Sequence, residues 1–179
     1  WADLDRQVYE YLIYWFGHIV QRCKKTGVNI IIKSIREGAG KNILTDFICN
    51  QVLGSGFTRQ FSDIDSFLGK FNASAERSML TILDEIGTKG AAFKNSNRLK
   101  DLTTRVLMPV ERKGIDSYMA TDRNSSILSS NDDWIVKLGS SDRRNLCIEA
   151  SSKFISDTKY WANLVSSCTD EVGLHFFHY

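Results

Sequence analysis

The sequence predicts an α/β domain with a mostly parallel central sheet, and three observations support that prediction. Short β-branched apolar runs, the first at residues 29–32, have the composition of strands that are buried on both faces of a parallel sheet. These runs alternate with segments whose apolar residues repeat at helical spacing. A glycine-rich turn at residues 38–42 connects the first run to such a segment, as expected for a parallel βα unit.

Length and composition set the size of the domain. A chain of 179 residues that is 42% hydrophobic can bury one core, so we expect a single domain over residues 1–179. We divide it into an N-terminal helical segment (1–27), a core (28–150) and a C-terminal helical segment (151–179). The sequence begins with Trp1 and not with methionine, so we expect it to be part of a longer protein.

The first half of the chain predicts two helices around one strand. Apolar residues follow helical spacing from Leu4 to Val20, and a second helical pattern starts after Lys41 and ends near Gly54. Residues 29–32 (Asn-Ile-Ile-Ile) form the predicted strand between these helices. Residues 55–70 are polar with scattered aromatics, and we expect a loop with short helical turns there.

The second half predicts three more strands and a hairpin. Strands are expected at residues 78–83, 126–130 and 146–149, and helical segments at 97–104 and 153–164. Two short extended runs, 106–110 and 115–119, flank Lys113 and Gly114, which predicts a β-hairpin.

Charge and cysteine usage exclude some classes of protein. The 23 basic and 21 acidic residues balance too closely for composition to indicate nucleic-acid binding. No apolar run approaches the ~20 residues of a membrane-spanning helix, so no membrane association is expected. The four cysteines are scattered without metal-binding spacing, which predicts reduced thiols and an intracellular location: Cys23, Cys49, Cys147 and Cys168.

The turn at residues 38–42 (Gly-Ala-Gly-Lys-Asn) has the chemistry of a phosphate-binding loop. Backbone N–H groups of such a turn and the start of the following helix face an anion, and the lysine reaches the outer phosphates. The full pattern requires glycine where this chain has Ile35 and a hydroxyl where it has Asn42, so a glycine-rich strand-to-helix connection is the alternative. The candidate ATP-binding residues are Glu37, Gly38, Ala39, Gly40, Lys41, Asn42 and Ile43.

Two adjacent acids, Asp84 and Glu85, follow the predicted strand 78–83. At the end of a strand neighbouring the strand of the glycine-rich turn, one could hold Mg²⁺ and the other could orient the attacking water. Loop-capping acids are the alternative reading. Asn131, at the tip of another strand, could contact a γ-phosphate, although an asparagine before Asp132 is also a common turn residue.

Basic residues add two further candidates. Arg143 and Arg144 could neutralise charge in the site of a neighbouring subunit, or could be a surface pair bonded to Asp142. Lys113, beside Gly114 at the hairpin tip, offers a cation to a nucleic-acid backbone without reading sequence, or is simply a solvated turn residue.

In their order along the chain, these motifs resemble those of the superfamily 3 helicases, and within them the helicase domain of primase-helicases from viruses and mobile elements. The resemblance runs from about residue 29 to residue 144. It implies an AAA+-like, three-layer P-loop ATPase with an inserted β-hairpin, which forms a homo-oligomeric ring, usually a hexamer, and moves along single-stranded DNA. It also implies a replication role and the possibility of a primase domain in the same chain.

The same resemblance implies a role for each candidate residue. Lys41 would be the Walker A lysine, Asp84 and Glu85 the Walker B pair, and Asn131 the sensor 1 residue. Asn42 and Asp84 would hold Mg²⁺ beside ATP. Arg143 or Arg144 would act in trans, and Lys113 with Gly114 would contact DNA.

Two other functions remain open at the level of sequence. The domain could be an ATPase switch or a packaging-type motor that does not unwind DNA. It could also be an inactive P-loop assembly module, because Ile35 and Asn42 depart from the full loop pattern.

Overall fold

The computed structural model describes residues 5–34, 36–67, 69, 73–84, 96–130 and 143–178. A π-helical turn (Ile48–Val52) continues the second helix, and a 3₁₀ turn (Ala73–Glu76) precedes the third strand. In chain order, the helices and strands within these residues are α1 (Arg6–Arg22), β1 (Asn29–Lys33), α2 (Lys41–Phe47), β2 (Thr58–Phe61), α3 (Ile64–Phe67), β3 (Leu80–Leu83), α4 (Ser96–Thr104), β4 (Leu107–Arg112), β5 (Ile115–Thr121), β6 (Ser125–Ser130), β7 (Asn145–Glu149), α5 (Thr158–Ser167) and α6 (Asp170–His178).

Five of the strands form a parallel sheet in the order β2-β3-β6-β1-β7. The central position of β1 explains its composition, because Ile30, Ile31 and Ile32 are each at most 1% exposed. Runs of β-branched residues are expected in strands covered on both faces. The predicted α/β class with a mostly parallel central sheet is therefore confirmed.

Helices cover both faces of the sheet. Ile30 and Ile32 of β1 point into a cluster shared with α1, α2 and α6. The intervening Ile31 points the other way, into a smaller cluster with Leu99 of α4. Because successive side chains of a strand point to opposite faces of the sheet, the core consists of two layers, one on each face. The hairpin of β4 and β5 stands apart as a separate antiparallel pair.

Helix α1 forms where the apolar stripe predicts it. The Asp5 side chain caps it by accepting hydrogen bonds from the amides of Gln7 and Val8, and Cys23 ends it with a φ of 49°. In the apolar stripe, Val8 is half-buried and Tyr11 is 40% exposed, while Leu4 lies outside the described residues and the rest are buried. Those buried residues are Leu12, Trp15, Phe16, Ile19 and Val20.

Residues 58–61 form strand β2, and the prediction of a loop throughout 55–70 is wrong at this point. The strand lies at the edge of the sheet and pairs with β3 through backbone hydrogen bonds. Its sequence, Thr-Arg-Gln-Phe, contains no apolar run, which agrees with an edge position at which none of the four residues is fully buried. The short helical turn expected in this region is present as α3.

The C-terminal segment differs from the prediction in where its helices begin. The predicted helix at 153–164 starts instead at Thr158, since the Asp157 carboxylate accepts a hydrogen bond from the amide of Tyr160 and caps it there. A further helix, α6, follows, and Phe176 on it packs against the main core.

The predictions about thiols and membranes are addressed by the described residues. All four cysteines lie among them and are free thiols, as predicted. Burial raises the pKa of the Cys49 thiol. In the described ranges, no helix combines the length and apolar character needed to cross a bilayer.

Candidate functional site

The glycine-rich loop leaves β1 and enters α2 with an unusual backbone. Gly38 and Gly40 have positive φ angles of 78° and 71°, a region that glycine adopts without steric cost. Gly40 is the N-cap residue of α2 and provides no side-chain cap. The amides of a helix's first turn lack partners within the helix, and Lys41 and Asn42 of this turn line a cleft. The loop is thus suited to bind an anion.

The indole ring of Trp161 lies directly on this loop. A Cβ atom at residue 40 would overlap ring atoms of Trp161. The ring is held in turn by a 2.6 Å hydrogen bond from its Nε1 to the carbonyl of Phe154. Ile155 approaches Gly38, 3.8 Å from the position of a Cβ atom there. Two independent causes, the φ angle and the aromatic contact, therefore require glycine at residue 40.

The cleft has a volume of about 310 Å³ and opens at the carboxyl edge of the parallel sheet. Ligands of open α/β sheets bind at this edge. Loop residues line one side of the cleft, and the ends of β3 and β6 line the other. The lining residues are Glu37, Gly38, Ala39, Gly40, Lys41, Asn42, Ile43, Asp84 and Ser129.

Asp84 and Ser129 meet at the far wall of the cleft. The Ser129 hydroxyl donates to Asp84 Oδ1 over 3.4 Å. Asp84 follows β3 directly, and its amide donates to the Phe61 carbonyl, which extends the β2–β3 ladder. The structure therefore brings Asp84 into one cleft with the loop, although nothing local in the sequence connects them.

The expectation that the strand of Asp84 neighbours the strand of the loop is wrong. Strand β6 lies between β1 and β3 and pairs with both. This insertion explains why Ser129, which sequence reasoning missed, lines the cleft: it sits on β6, in register with Ile32 of β1. The only sequence signal for it was a polar residue near the end of a predicted strand.

Two predicted site residues, Glu85 and Asn131, lie outside the described residues, as does Ile35, which replaces a glycine of the full loop pattern. Asn131 directly follows β6, and Glu85 directly follows Asp84.

Arg143 and Arg144 are not brought to the cleft. They precede β7, and the carbonyl of Arg144 accepts a 2.8 Å hydrogen bond from the amide of Asn29 at the start of β1. They therefore lie at the amino edge of the sheet, whereas the loop leaves its carboxyl edge. A five-residue strand such as β1 separates these edges by roughly 15 Å. Arg143 is exposed and Arg144 is half-buried.

Lys113 and Gly114 form the tip of the β4–β5 hairpin, as predicted from the two flanking runs. Gly114 has a φ of 77°, and Lys113 is exposed. The hairpin is anchored at its base, where Met108 and Val110 are fully buried against Ala75. Glu76 of the 3₁₀ turn accepts hydrogen bonds from Arg112 and from Tyr118, and these two bonds lower the pKa of its carboxyl.

The chain matches the model of a protein family. Residues 32–144, more than half of the chain, match the model of a family of unknown function, DUF5906. The chain belongs to this family. The DUF5906 match begins within β1 and ends at Arg144, so it includes the glycine-rich loop, Asp84 and the hairpin.

A curated relative comes from a phage. The DNA primase-polymerase of Nitratiruptor phage NrS-1 is 26% identical to the chain over 164 residues. The alignment covers 89% of the chain but only 22% of the phage protein, so the chain spans about a fifth of that relative's length.

Solved structures share the fold. An apo structure of the NrS-1 C-terminal region superposes with a TM-score of 0.83 at 21% identity, over 98% of the chain and 42% of that region. The helicase of JCV superposes with a TM-score of 0.57 at 14% identity, over 92% of the chain and 49% of the helicase chain. At these identities the matches show a common, viral helicase-like fold.

Proposed function

We propose that this chain is the ATPase motor domain of a replicative DNA helicase. In this proposal it binds ATP and Mg²⁺ in the cleft at the carboxyl edge of the sheet. It hydrolyses ATP within a homo-oligomeric ring, with six subunits as the expected number, and moves along single-stranded DNA. The helicase-like fold and the relationship to a phage primase-polymerase support a role in DNA replication.

The observation that carries the proposal is the meeting of the glycine-rich loop and Asp84 in one cleft. A phosphate chain requires amide donors and a cation on one side, which the loop and Lys41 offer. A magnesium ion requires oxygen ligands, which Asp84 offers on the other side. In the proposed mechanism, phosphoryl transfer proceeds between these two sets of groups.

The metal site fits the residues present, with one unusual ligand. Asn42 occupies the position at which a hydroxyl usually binds Mg²⁺, and its amide oxygen is also a hard ligand. Asp84 would complete the protein's share of the coordination, and Mg²⁺ would neutralise charge on the phosphates. Glu85 would orient the attacking water and Asn131 would contact the γ-phosphate, in keeping with their sequence positions directly after Asp84 and directly after β6.

Assembly is part of the proposal because the arginines lie far from their own cleft. Arg143 and Arg144, at the amino edge of the sheet, are across the molecule from the loop. An arginine in this position suits a site in the neighbouring subunit, where it would stabilise the charge of the transition state. Exposed Lys113 at the hairpin tip would contact the DNA backbone.

The remaining expectations concern the whole protein. The phage relative is named a primase-polymerase and is far longer than this chain. We therefore propose that a primase domain accompanies this chain in the full-length protein. We also propose that it acts inside the cell, at the site of replication of a virus or mobile element.

The test is ATP turnover by the full-length protein with and without single-stranded DNA. Lys41→Ala is expected to lower turnover by about 100-fold or more, because it removes the cation that would stabilise the negative charge developing on the phosphates in the transition state. Lys24→Ala, an exposed lysine after α1, is the matched control and should retain full turnover. Normal turnover by a folded Lys41→Ala protein would refute the proposal.

Turnover with a forked DNA substrate and a measurement of ATP binding separate the other functions. Turnover that responds neither to single-stranded DNA nor to a forked substrate would indicate an ATPase switch or a packaging-type motor. A wild-type protein that fails to bind ATP with Mg²⁺ would indicate an inactive assembly module.

A further inference from the structure

A second cavity lies at the foot of the hairpin, away from the glycine-rich loop. It has a volume of about 330 Å³ and is lined by residues of β2, α4 and the segments beside them. Three arginines line it, whereas Asp101 is its one acid among the described residues. Its lining comprises Arg59, Phe67, Gly69, Ala75, Asn97, Arg98, Asp101, Leu102 and Arg105.

Arg59 is the most informative residue of this cavity. Its Nη2 donates to the Thr81 hydroxyl at 3.0 Å, and its guanidinium lies 5.3 Å from the ring centre of Phe61. Its Nε is fully buried and has no hydrogen-bond partner within the described part of the chain. Burial lowers its pKa to about 10, so the group still carries its charge at neutral pH. A buried charged donor without an acceptor is costly and requires an explanation.

The neighbouring carboxylate of Asp122 compensates this charge only in part: its charge raises the pKa of Arg59, but burial has the larger effect. Asp122 is 1% exposed and accepts hydrogen bonds from Arg105 Nε at 2.6 Å and Lys25 Nζ at 2.8 Å. Burial favours the neutral form of Asp122, but the bonds from Lys25 and Arg105 outweigh it and lower the pKa of the carboxyl. Three cations, Lys25, Arg59 and Arg105, thus share one buried carboxylate, and two of them, Arg59 and Arg105, line the cavity.

A chain of buried hydrogen bonds holds Arg59 in its orientation. The Thr81 hydroxyl, which accepts from Arg59, donates to Asn124 Oδ1 at 3.1 Å. The Asn124 amide nitrogens donate to Asp122 Oδ1, and Nδ2 also donates to the Ala75 carbonyl. The guanidinium is thus held by interior groups before any ligand arrives, which lowers the entropic cost of binding.

We propose that this cavity binds a phosphate group, supplied by the backbone of a nucleic acid or by a free phosphate compound. Guanidinium groups bind phosphate oxygens through short, charge-assisted bonds, and the side chains of Arg59, Arg98 and Arg105 line this cavity. The position of the cavity also fits a nucleic-acid strand that runs along the hairpin, because Arg105 lies two residues before β4 and Asp122 directly follows β5. The inference does not depend on ATP hydrolysis in the cleft.

The test uses full-length protein carrying Lys41→Ala, so that phosphate cannot bind effectively at the glycine-rich loop. Binding of inorganic phosphate and of a short oligothymidylate is measured by calorimetry at constant ionic strength. Arg59→Met, which keeps an unbranched chain as far as the position of Nε but removes the charge, should weaken binding of at least one probe about tenfold or more. Arg22→Met, an exposed arginine on α1, is the matched control and should change neither.

The two probes identify the source of the phosphate. Loss of oligothymidylate binding indicates a nucleic-acid backbone, whereas loss of phosphate binding alone indicates a free phosphate compound. If Arg59→Met does not fold, Arg59→Lys keeps the charge but removes the planar guanidinium fork, and it should weaken binding of the same probe. Equal binding of both probes to the Lys41→Ala background with and without the Arg59 substitution would overturn the proposal.

Discussion

At the scale of single residues, Gly40 is subject to two constraints at once. Its positive φ and its contact with Trp161 act on the same atom, the missing Cβ. The chain provides a comparison, because Gly54 has a similar φ of 79° but open space where a Cβ would stand. The two glycines therefore allow the cost of the backbone conformation to be separated from the cost of the aromatic contact.

We expect Gly54→Ala to lower the free energy of unfolding by about 1–2 kcal/mol, the cost of a left-handed conformation for an L-residue. Gly40→Ala should cost more, since the Trp161 ring must also move. Urea unfolding followed by circular dichroism measures both values. Equal losses in the two variants would mean that the ring moves without cost.

At the scale of elements, the hairpin behaves as an appendage with one anchored face. Met108 and Val110 of β4 are fully buried, whereas most residues of β5 are exposed. A two-stranded hairpin is marginally stable alone, so these buried contacts and the bonds to Glu76 keep it in position. Any DNA contact by Lys113 depends on this base.

Met108→Ala is expected to lower the free energy of unfolding by about 2–5 kcal/mol, because it leaves a cavity at the anchored face. Met119→Ala, on the neighbouring strand, removes the same side chain from a site that is 59% exposed. Its effect should stay within about 0.5 kcal/mol. Chemical unfolding of both variants gives the comparison, and similar losses would contradict the described packing.

At the scale of the whole molecule, the buried charges around Asp122 connect distant parts of the chain. Lys25 lies after α1, Arg105 after α4 and Asp122 after β5, so one carboxylate joins three connections. Lys25 also donates to the carbonyls of Leu102 and Arg105. Removing one partner from such a cluster leaves a buried charge without compensation.

This cluster predicts a dependence of stability on pH. The folded state lowers the pKa of Asp122 below its ordinary 3.8, so its contribution is complete above that value and is lost as the pH falls through the lower, folded-state pKa. Asp122→Asn should lower the free energy of unfolding by about 3–5 kcal/mol at neutral pH. It should also flatten the loss of stability as the pH falls below about 3.8.

Asp101→Asn provides the control for this prediction. Asp101 also faces Arg105, at 4.0 Å, but its side chain is 67% exposed. The control should change stability by about 1 kcal/mol or less. Urea unfolding across the pH range measures both variants, and an Asp122→Asn curve parallel to that of the wild type would contradict the assignment.

The features predictable from sequence are those that local pattern encodes. The isoleucines of β1, the stripe of α1 and the Lys113–Gly114 turn each carry a periodicity or turn residue that needs no partner. The order of the strands in the sheet is not encoded by such a local pattern, because packing between distant segments decides that β6 inserts between β1 and β3. The place of Ser129 in the cleft follows from that insertion, and its one local signal was a polar residue near the end of a strand. The contact between Trp161 and Gly40 likewise joins distant segments, which a local pattern does not encode.

The position of α6 has a consequence for how the chain is made. Phe176 packs against Phe16 and Phe47, with ring centres 6.3 Å apart in both pairs, so the last helix described completes a core begun by the first. Synthesis proceeds at ~5–20 residues per second, so Phe16 and Phe47 are made several seconds before Phe176 is available to pack against them. The chain is therefore expected to fold only after residue 176 has left the ribosome, and to need protection from aggregation until then.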